Sequence, residues 1–385
     1  MAGLYVHVPF CTQRCVYCDF YFVTSARARP AFAPALEGEI AHYGRAYGGR
    51  EPIETIYLGG GTPSLLPLGD VARILEAMHA HFDTAAVAEV TLEANPEEIA
   101  GEAGRAYARG LRALGVTRLS LGVQSFFADD LRFMHRAHDA AAAEDAVAAA
   151  AETFESFSVD LIFGLPEQPF EYWAANLEKA LRLGAPHVSA YSLTVEDGTV
   201  LARRVRDGLV VPEGDETMRA RYLFTAEYLA GRGLRHYEVS SFARPGHESR
   251  HNTGYWTHCN YLGFGPSAHS FWRETRSRAW RWHNVAHLGR WQGLLAAGEL
   301  PLERREALGP EALADEAVLL GLRRLDAGLD LDMLARDYGV DLLAERAPVL
   351  AALERAGLIH PVDGRTVRLT TEGAAVADAV ALRLT

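Results

Sequence analysis

Leu4-Tyr-Val-His-Val-Pro9, followed at once by Phe10-Cys11-Thr-Gln-Arg-Cys15-Val-Tyr17-Cys18-Asp-Phe20, reads as a strand that ends in a loop carrying three cysteines. The fourth cysteine, Cys259, lies far away in sequence. Three cysteines within eight positions are too close for a disulfide framework, and such a cluster in a reducing compartment points to metal binding or catalysis. A short loop can present three thiolates to the corners of a cubane iron–sulfur cluster, because its ligands converge from several directions. Tetrahedral zinc needs a fourth ligand, and His7 and Asp19 are the nearby candidates. On the loop alone both readings stay open.

Outward from this loop, short apolar β-rich runs alternate with longer amphipathic stretches. Strands are expected at 4–9, 54–58, 88–94, 117–123, 157–163 and 187–193, and helices near 32–47, 69–82, 100–114, 139–153, 170–183 and 215–232. That alternation predicts a parallel sheet with right-handed crossovers. Polar or Gly-rich signals follow the strands: Phe10-Cys11, Gly59-Gly60-Gly61, Asn95-Pro96, Gln124-Ser125 and Gly164-Leu165-Pro166. Sites in barrels and open α/β sheets are built at such strand ends. Six units predict an α/β fold with a partial (β/α)6 barrel, short of a closed eightfold one.

The pattern changes at about 235–285, where His, Gly and aromatic residues crowd together in His251-Asn-Thr-Gly-Tyr-Trp256 and Tyr261-Leu-Gly-Phe-Gly-Pro-Ser-Ala-His-Ser270. The final segment reads as three helices and a short hairpin, Leu358-Ile-His and Thr366-Val-Arg-Leu-Thr370, a winged-helix pattern. The expected organisation is thus a barrel over 1–235, a His- and aromatic-rich extension over 236–300, and a winged-helix-like α+β module over 301–385.

The 385 residues carry a net charge of −12, and Lys179 is the only lysine. Nucleic-acid binding needs a clustered cationic footprint, and none is present. The expected recognition helix of the wing, about 347–356, offers Glu354 and Arg355 and no cationic stripe, so a lid or subunit-contact module fits better than a DNA reader. A subunit contact would make a homodimer. No run approaches the ~20 apolar residues of a membrane helix, and no signal-peptide pattern is seen, so a cytoplasmic protein without membrane insertion is expected.

With Cys-x3-Cys-x2-Cys and the aromatic Tyr17 before the third cysteine, the loop resembles the cluster loop of the radical S-adenosylmethionine (SAM) superfamily. The resemblance implies a [4Fe-4S] cluster on Cys11, Cys15 and Cys18, with the fourth iron free for the amino and carboxylate groups of SAM. One-electron reduction would then cleave the sulfonium to a 5′-deoxyadenosyl radical, the protein supplying ligation, orientation and exclusion of water. The glycine motif of the superfamily brings backbone polar groups onto the methionine amino group, which marks Gly60, Gly61 and Thr62. Pro63-Ser64-Leu65 after it rules out a phosphate loop. Tyr5, Tyr17, Glu93, Gln124, Arg136 and Asp160 match further cofactor-contacting places of the porphyrin-related branch. A carboxylate suits ribose hydroxyls, and a guanidinium suits the methionine carboxylate. Asp160 or Glu93 as helix caps, and Arg136 as an exposed ion pair, are the structural alternatives.

Two sister groups in that branch are similar over nearly the whole chain: oxygen-independent coproporphyrinogen III oxidases and heme chaperones. The oxidases carry an N-terminal extension over the active site, where only Met1-Ala2-Gly3 precede the first strand here. Their loop continues to a further cysteine at the place of Phe20. His251-Asn252-Thr253-Gly254-Tyr255-Trp256 matches the His-Asn-x-x-Tyr-Trp motif of the chaperones. The resemblance therefore implies a chaperone that binds heme and hands it to respiratory cytochromes, acting in the cytoplasm or peripherally at the inner membrane. Oxidative decarboxylation of coproporphyrinogen III is the enzymatic alternative, and a redox-responsive DNA-binding regulator a third. His251, Asn252, Tyr255 and Trp256 are the expected heme contacts, imidazole being the commonest axial ligand. His258, Cys259 and His269 are rival candidates, and Cys259 could equally be a small buried residue.

Overall fold

The computed structural model describes residues 2–385, and six parallel strands in sequence order form its centre: β1 (Ala2–Val8), β2 (Ile53–Gly60), β3 (Glu89–Ala94), β4 (Arg118–Gln124), β5 (Ser156–Phe163) and β6 (His187–Ser192). Parallel neighbours need a crossover between them. Helices Phe32–Tyr47, Leu68–His81, Gly101–Ala113, Ala140–Thr153 and Phe170–Arg182 provide the five crossovers. In the first, Leu36, Ile40 and Tyr43 recur at helical spacing and are buried against the sheet. The alanine-rich fourth buries Ala143, Ala146, Val147 and Ala150, whose small side chains let its axis approach closely. Covered by helices, β1 buries six of its seven residues and shows no inside–outside alternation.

The sheet stays open. β6 is followed by antiparallel strands β7 (Arg235–Glu238) and β8 (Ser241–Ala243), with β8 against β6. Beside β1, the edge is continued by the parallel β9 (Asn260–Phe264) and then antiparallel β10 (His269–Thr275), β11 (Arg278–Asn284) and β12 (Leu302–Leu308). The result is one twelve-stranded sheet in the order β12-β11-β10-β9-β1-β2-β3-β4-β5-β6-β8-β7. The aromatic-rich stretch is thus an extension of the barrel sheet, in which Trp272, Ala279 and Trp282 are buried core residues.

The C-terminal part packs helices Leu331–Tyr338, Ala347–Arg355 and Ala377–Leu384 around Leu334, Leu350, Leu353, Ile359 and Val367. Its hairpin pairs Ile359 with Leu369, and the pair of strands Leu329–Asp330 and Thr366–Val367 completes a small wing. Among the described residues no helix is long and apolar enough to cross a membrane.

Candidate functional site

The cysteine loop is pinned by main-chain bonds that do not depend on its thiols. Cys11 N–H donates to Val23 C=O at 3.0 Å, Val23 N–H to Pro9 C=O at 2.6 Å, and Val16 N–H to Met134 C=O at 3.2 Å. The turn after β2 is tied to the same loop: Gly61 N–H donates to Val8 C=O at 2.8 Å and Thr62 N–H to Phe10 C=O at 2.7 Å. Gly60 sits at φ +106°, and a Cβ there would stand 2.6 Å from the His7 ring. Only glycine fits this approach. Gly60→Ala is expected to lower stability by about 1–3 kcal/mol, read from chemical denaturation; an unchanged midpoint would refute the steric reading.

These loops and the ends of β3, β4 and β5 enclose a cavity of about 540 Å³. Cys11, Cys15 and Cys18 line it, with Tyr17, Gly60, Gly61, Thr62, Glu93, Gln124, Arg136 and Asp160; of the nine residues expected around SAM, only Tyr5 lies elsewhere. Glu93 accepts from the Tyr57 hydroxyl at 2.7 Å and from Gly60 N–H at 3.0 Å. Burial, reinforced by the neighbouring Asp160 carboxylate, pushes its pKa up to about 7. Asp160 accepts from Ser120 and Ser158 hydroxyls at 2.8 and 3.0 Å, and burial raises its pKa as well. Neither carboxylate caps a helix. Gln124 holds φ +64° at the last position of β4, a strained backbone of the kind stored at functional sites.

Arg136 is no exposed ion pair. Its Nη1 donates to Cys15 Sγ at 3.3 Å, and its Nη2 to Asn95 Oδ1 at 2.6 Å and Gly122 C=O at 2.8 Å. Its buried Nε–H has no acceptor, so the guanidinium keeps donor capacity beside the thiols. Burial holds the Cys11 and Cys18 thiols up at about 11.

Among the described residues no three His, Cys, Asp or Glu side chains converge as a preformed cage for one metal ion. His7 does not join the thiols: its Nδ1 meets the Tyr5 hydroxyl at 3.2 Å and its Nε2 the Tyr21 C=O at 2.8 Å. A single zinc ion needs donors converging to bonds of about 2.3 Å. Three thiols from one short loop lining a common cavity suit a polynuclear cluster, each iron taking one thiolate. Opposed carboxylate and guanidinium groups in the same cavity suit a zwitterionic sulfonium ligand. The donor set therefore fits the cluster and the cofactor together.

A second cavity, of about 630 Å³, lies behind the cysteine loop and shares only Asp19 and Phe20 with the first. Tyr5, Tyr255, Trp256, Tyr261 and Phe271 give it aromatic walls. The four residues of the His-Asn-x-x-Tyr-Trp motif part company here. Tyr255 and Trp256 line the cavity, while His251 and Asn252 do not. His251 is 3% exposed and faces β2, its Nδ1 2.8 Å from Thr55 Oγ1 and its Nε2 2.8 Å from the Tyr255 hydroxyl. Burial pulls its pKa down to about 3, so the ring is neutral.

Residues 5–180 match the radical SAM superfamily and residues 308–376 the HemN C-terminal domain. The chain is 40% identical over 386 residues to the heme chaperone HemW of Mycobacterium tuberculosis, covering 98% of this chain and 93% of the relative. It is 33% identical over 377 residues to the heme chaperone HemW of Bacillus subtilis, covering 97% and 96%. Among solved structures, the coproporphyrinogen III oxidase HemN from Escherichia coli, a radical SAM enzyme, superposes with a TM-score of 0.83 at 25% identity, over 100% of this chain and 89% of that one. Similarity at this level over nearly the full length of both partners, on a radical SAM fold, means that the chain belongs to the heme chaperone HemW family of the radical SAM superfamily.

Proposed function

We propose that this chain is a heme carrier: it holds a [4Fe-4S] cluster on Cys11, Cys15 and Cys18, binds SAM in the first cavity, takes heme into the second, and passes it to respiratory cytochromes. The observation that carries this reading is the second cavity, aromatic-walled and divided from the thiols by the loop residues Asp19 and Phe20. Its volume lies within the range of small-molecule sites. An oxidase must bring a porphyrinogen propionate to the cofactor. A carrier needs only a flat apolar berth of its own.

In the first cavity, Glu93 and Asp160 offer acceptors for ribose hydroxyls and the ammonium group, and Arg136 offers its remaining donors to the carboxylate. When bound, the cluster supplies single-electron reduction, with the sulfonium as acceptor. Phe20 at the place of the oxidases' further cysteine also supports the carrier. Titrating the anaerobically prepared protein with heme should give a saturable Soret change at about one heme per chain. A linear, unsaturating response, like that of heme with an unrelated protein, would contradict the carrier role.

A further inference from the structure

The carrier reading leaves open which side chain reaches the iron, and three histidines line the second cavity: His7, His258 and His269. Both nitrogens of His7 are engaged, by the Tyr5 hydroxyl and the Tyr21 carbonyl. His258 is engaged at Nδ1 and faces a carboxylate at Nε2. Its Nδ1 lies 3.0 Å from the Tyr338 hydroxyl and 2.9 Å from an Arg273 guanidinium nitrogen, and its Nε2 is 3.2 Å from the Glu316 carboxylate. Its ring also stacks on Phe271 at 4.5 Å. His251, outside the cavity, has both nitrogens bonded within the fold.

His269 differs from all of these. It stands at the start of β10, is exposed towards the cavity, and makes no side-chain hydrogen bond among the described residues. Directly opposite it on β11 is His283, whose ring stacks behind it at 5.0 Å with an interplanar angle of 21° and so restricts its orientation. Burial, with His283 and Arg281 nearby, lowers its pKa, which leaves a neutral imidazole with a free lone pair at pH 7. Among the described residues Arg281 is the one arginine or lysine lining the cavity; it lies on the strand beside His269's, with its Nη2 ion-paired to the Glu316 carboxylate at 2.5 Å.

We propose that His269, and not His251, is the axial ligand through which this chain holds heme iron. The assignment rests on the carrier reading above. Tyr255 and Tyr261 would offer the heme an aromatic surface, and His251 acts at one remove by holding the Tyr255 hydroxyl.

The test is heme titration of the full-length protein and of His269→Ala, His251→Ala and Cys259→Ser, with Soret and visible spectra of the ferric and ferrous forms. His269→Ala removes no hydrogen bond, so the variant should remain folded. Its affinity should fall about tenfold or more, its histidine-ligated spectrum should be lost, and added imidazole should restore the spectrum. His251→Ala should keep the wild-type band positions. Unchanged spectra in His269→Ala, or loss of the histidine signature in His251→Ala or of a thiolate signature in Cys259→Ser, would overturn the assignment while leaving the carrier intact. Wild-type protein that fails to saturate with heme would overturn the carrier reading itself.

Discussion

Replacing Cys15 with alanine should give a folded chain that retains no iron after anaerobic reconstitution. Cys15 is partly exposed, and the Arg136 guanidinium donates to its sulfur at 3.3 Å. The loop around it is held by Val23, Pro9 and Met134 through backbone bonds that alanine leaves in place. Two thiolates cannot hold a cubane against solvent and oxidant, so the loss should be essentially complete. Iron analysis together with circular dichroism reads both halves of the expectation. Iron at the wild-type level in Cys15→Ala would remove the cysteine loop from the cluster, and stoichiometric zinc in the wild type would revive the alternative metal.

The second large effect concerns stability and centres on Glu39, a fully buried carboxylate on the helix Phe32–Tyr47. It accepts from Gly265 N–H at 2.8 Å, from the Asn284 amide at 2.6 Å and from the Trp291 indole at 3.1 Å. Those three donors lie just past β9, at the end of β11 and on the helix Leu288–Ala296, so one side chain ties the barrel to its added strands. In Glu39→Ala the three donors lose their acceptor inside the core, at about 1–3 kcal/mol for each that stays unsatisfied, so a drop of about 3 kcal/mol or more is expected. Burial pushes the Glu39 pKa up to about 8, above its unfolded value near 4.5. The folded state therefore binds the extra proton more tightly between these two values. Its contribution to stability is full below pH 4.5, declines as pH rises through the window, and levels off above 8. Glu39→Gln should remove this slope, so the stability difference between wild type and Glu39→Gln should shift in favour of the variant from pH 5 to pH 8. A difference that stays constant across that range would show that Glu39 does not titrate there.

The six parallel strands and their crossovers were legible because the strands are largely buried and so read as plain apolar runs, as in Phe157-Ser-Val-Asp-Leu-Ile-Phe163. The cysteines, Gly60 and Gln124 were legible for a related reason, whereas Glu93 entered through the family resemblance. Each follows or ends such a run, and parallel strands carry all those ends to one side of the sheet. The added strands were hidden. β7 and β8 have four and three residues, and β11 mixes Arg278, Trp280, Arg281 and Trp282 so that no clean alternation remains. Glu39 looked like one more polar position on an amphipathic helix, because its partners are 226 to 252 residues away. The motif resemblance put His251 ahead of His269 as the expected heme contact. Both sit in aromatic, glycine-rich stretches, and only their surroundings differ: Thr55 and Tyr255 occupy one ring, and the cavity borders the other. Arg136 was expected as a fork towards a carboxylate, but two of its donor hydrogens reach Asn95 and Gly122, contacts that local sequence does not encode.

The most direct test of the carrier role is to incubate the anaerobically reconstituted protein with SAM, a strong reductant and coproporphyrinogen III, and to follow protoporphyrinogen by chromatography. The account predicts no product in a preparation that binds heme saturably. Protoporphyrinogen formed over many turnovers would contradict it and make the chain a decarboxylating oxidase in spite of Phe20.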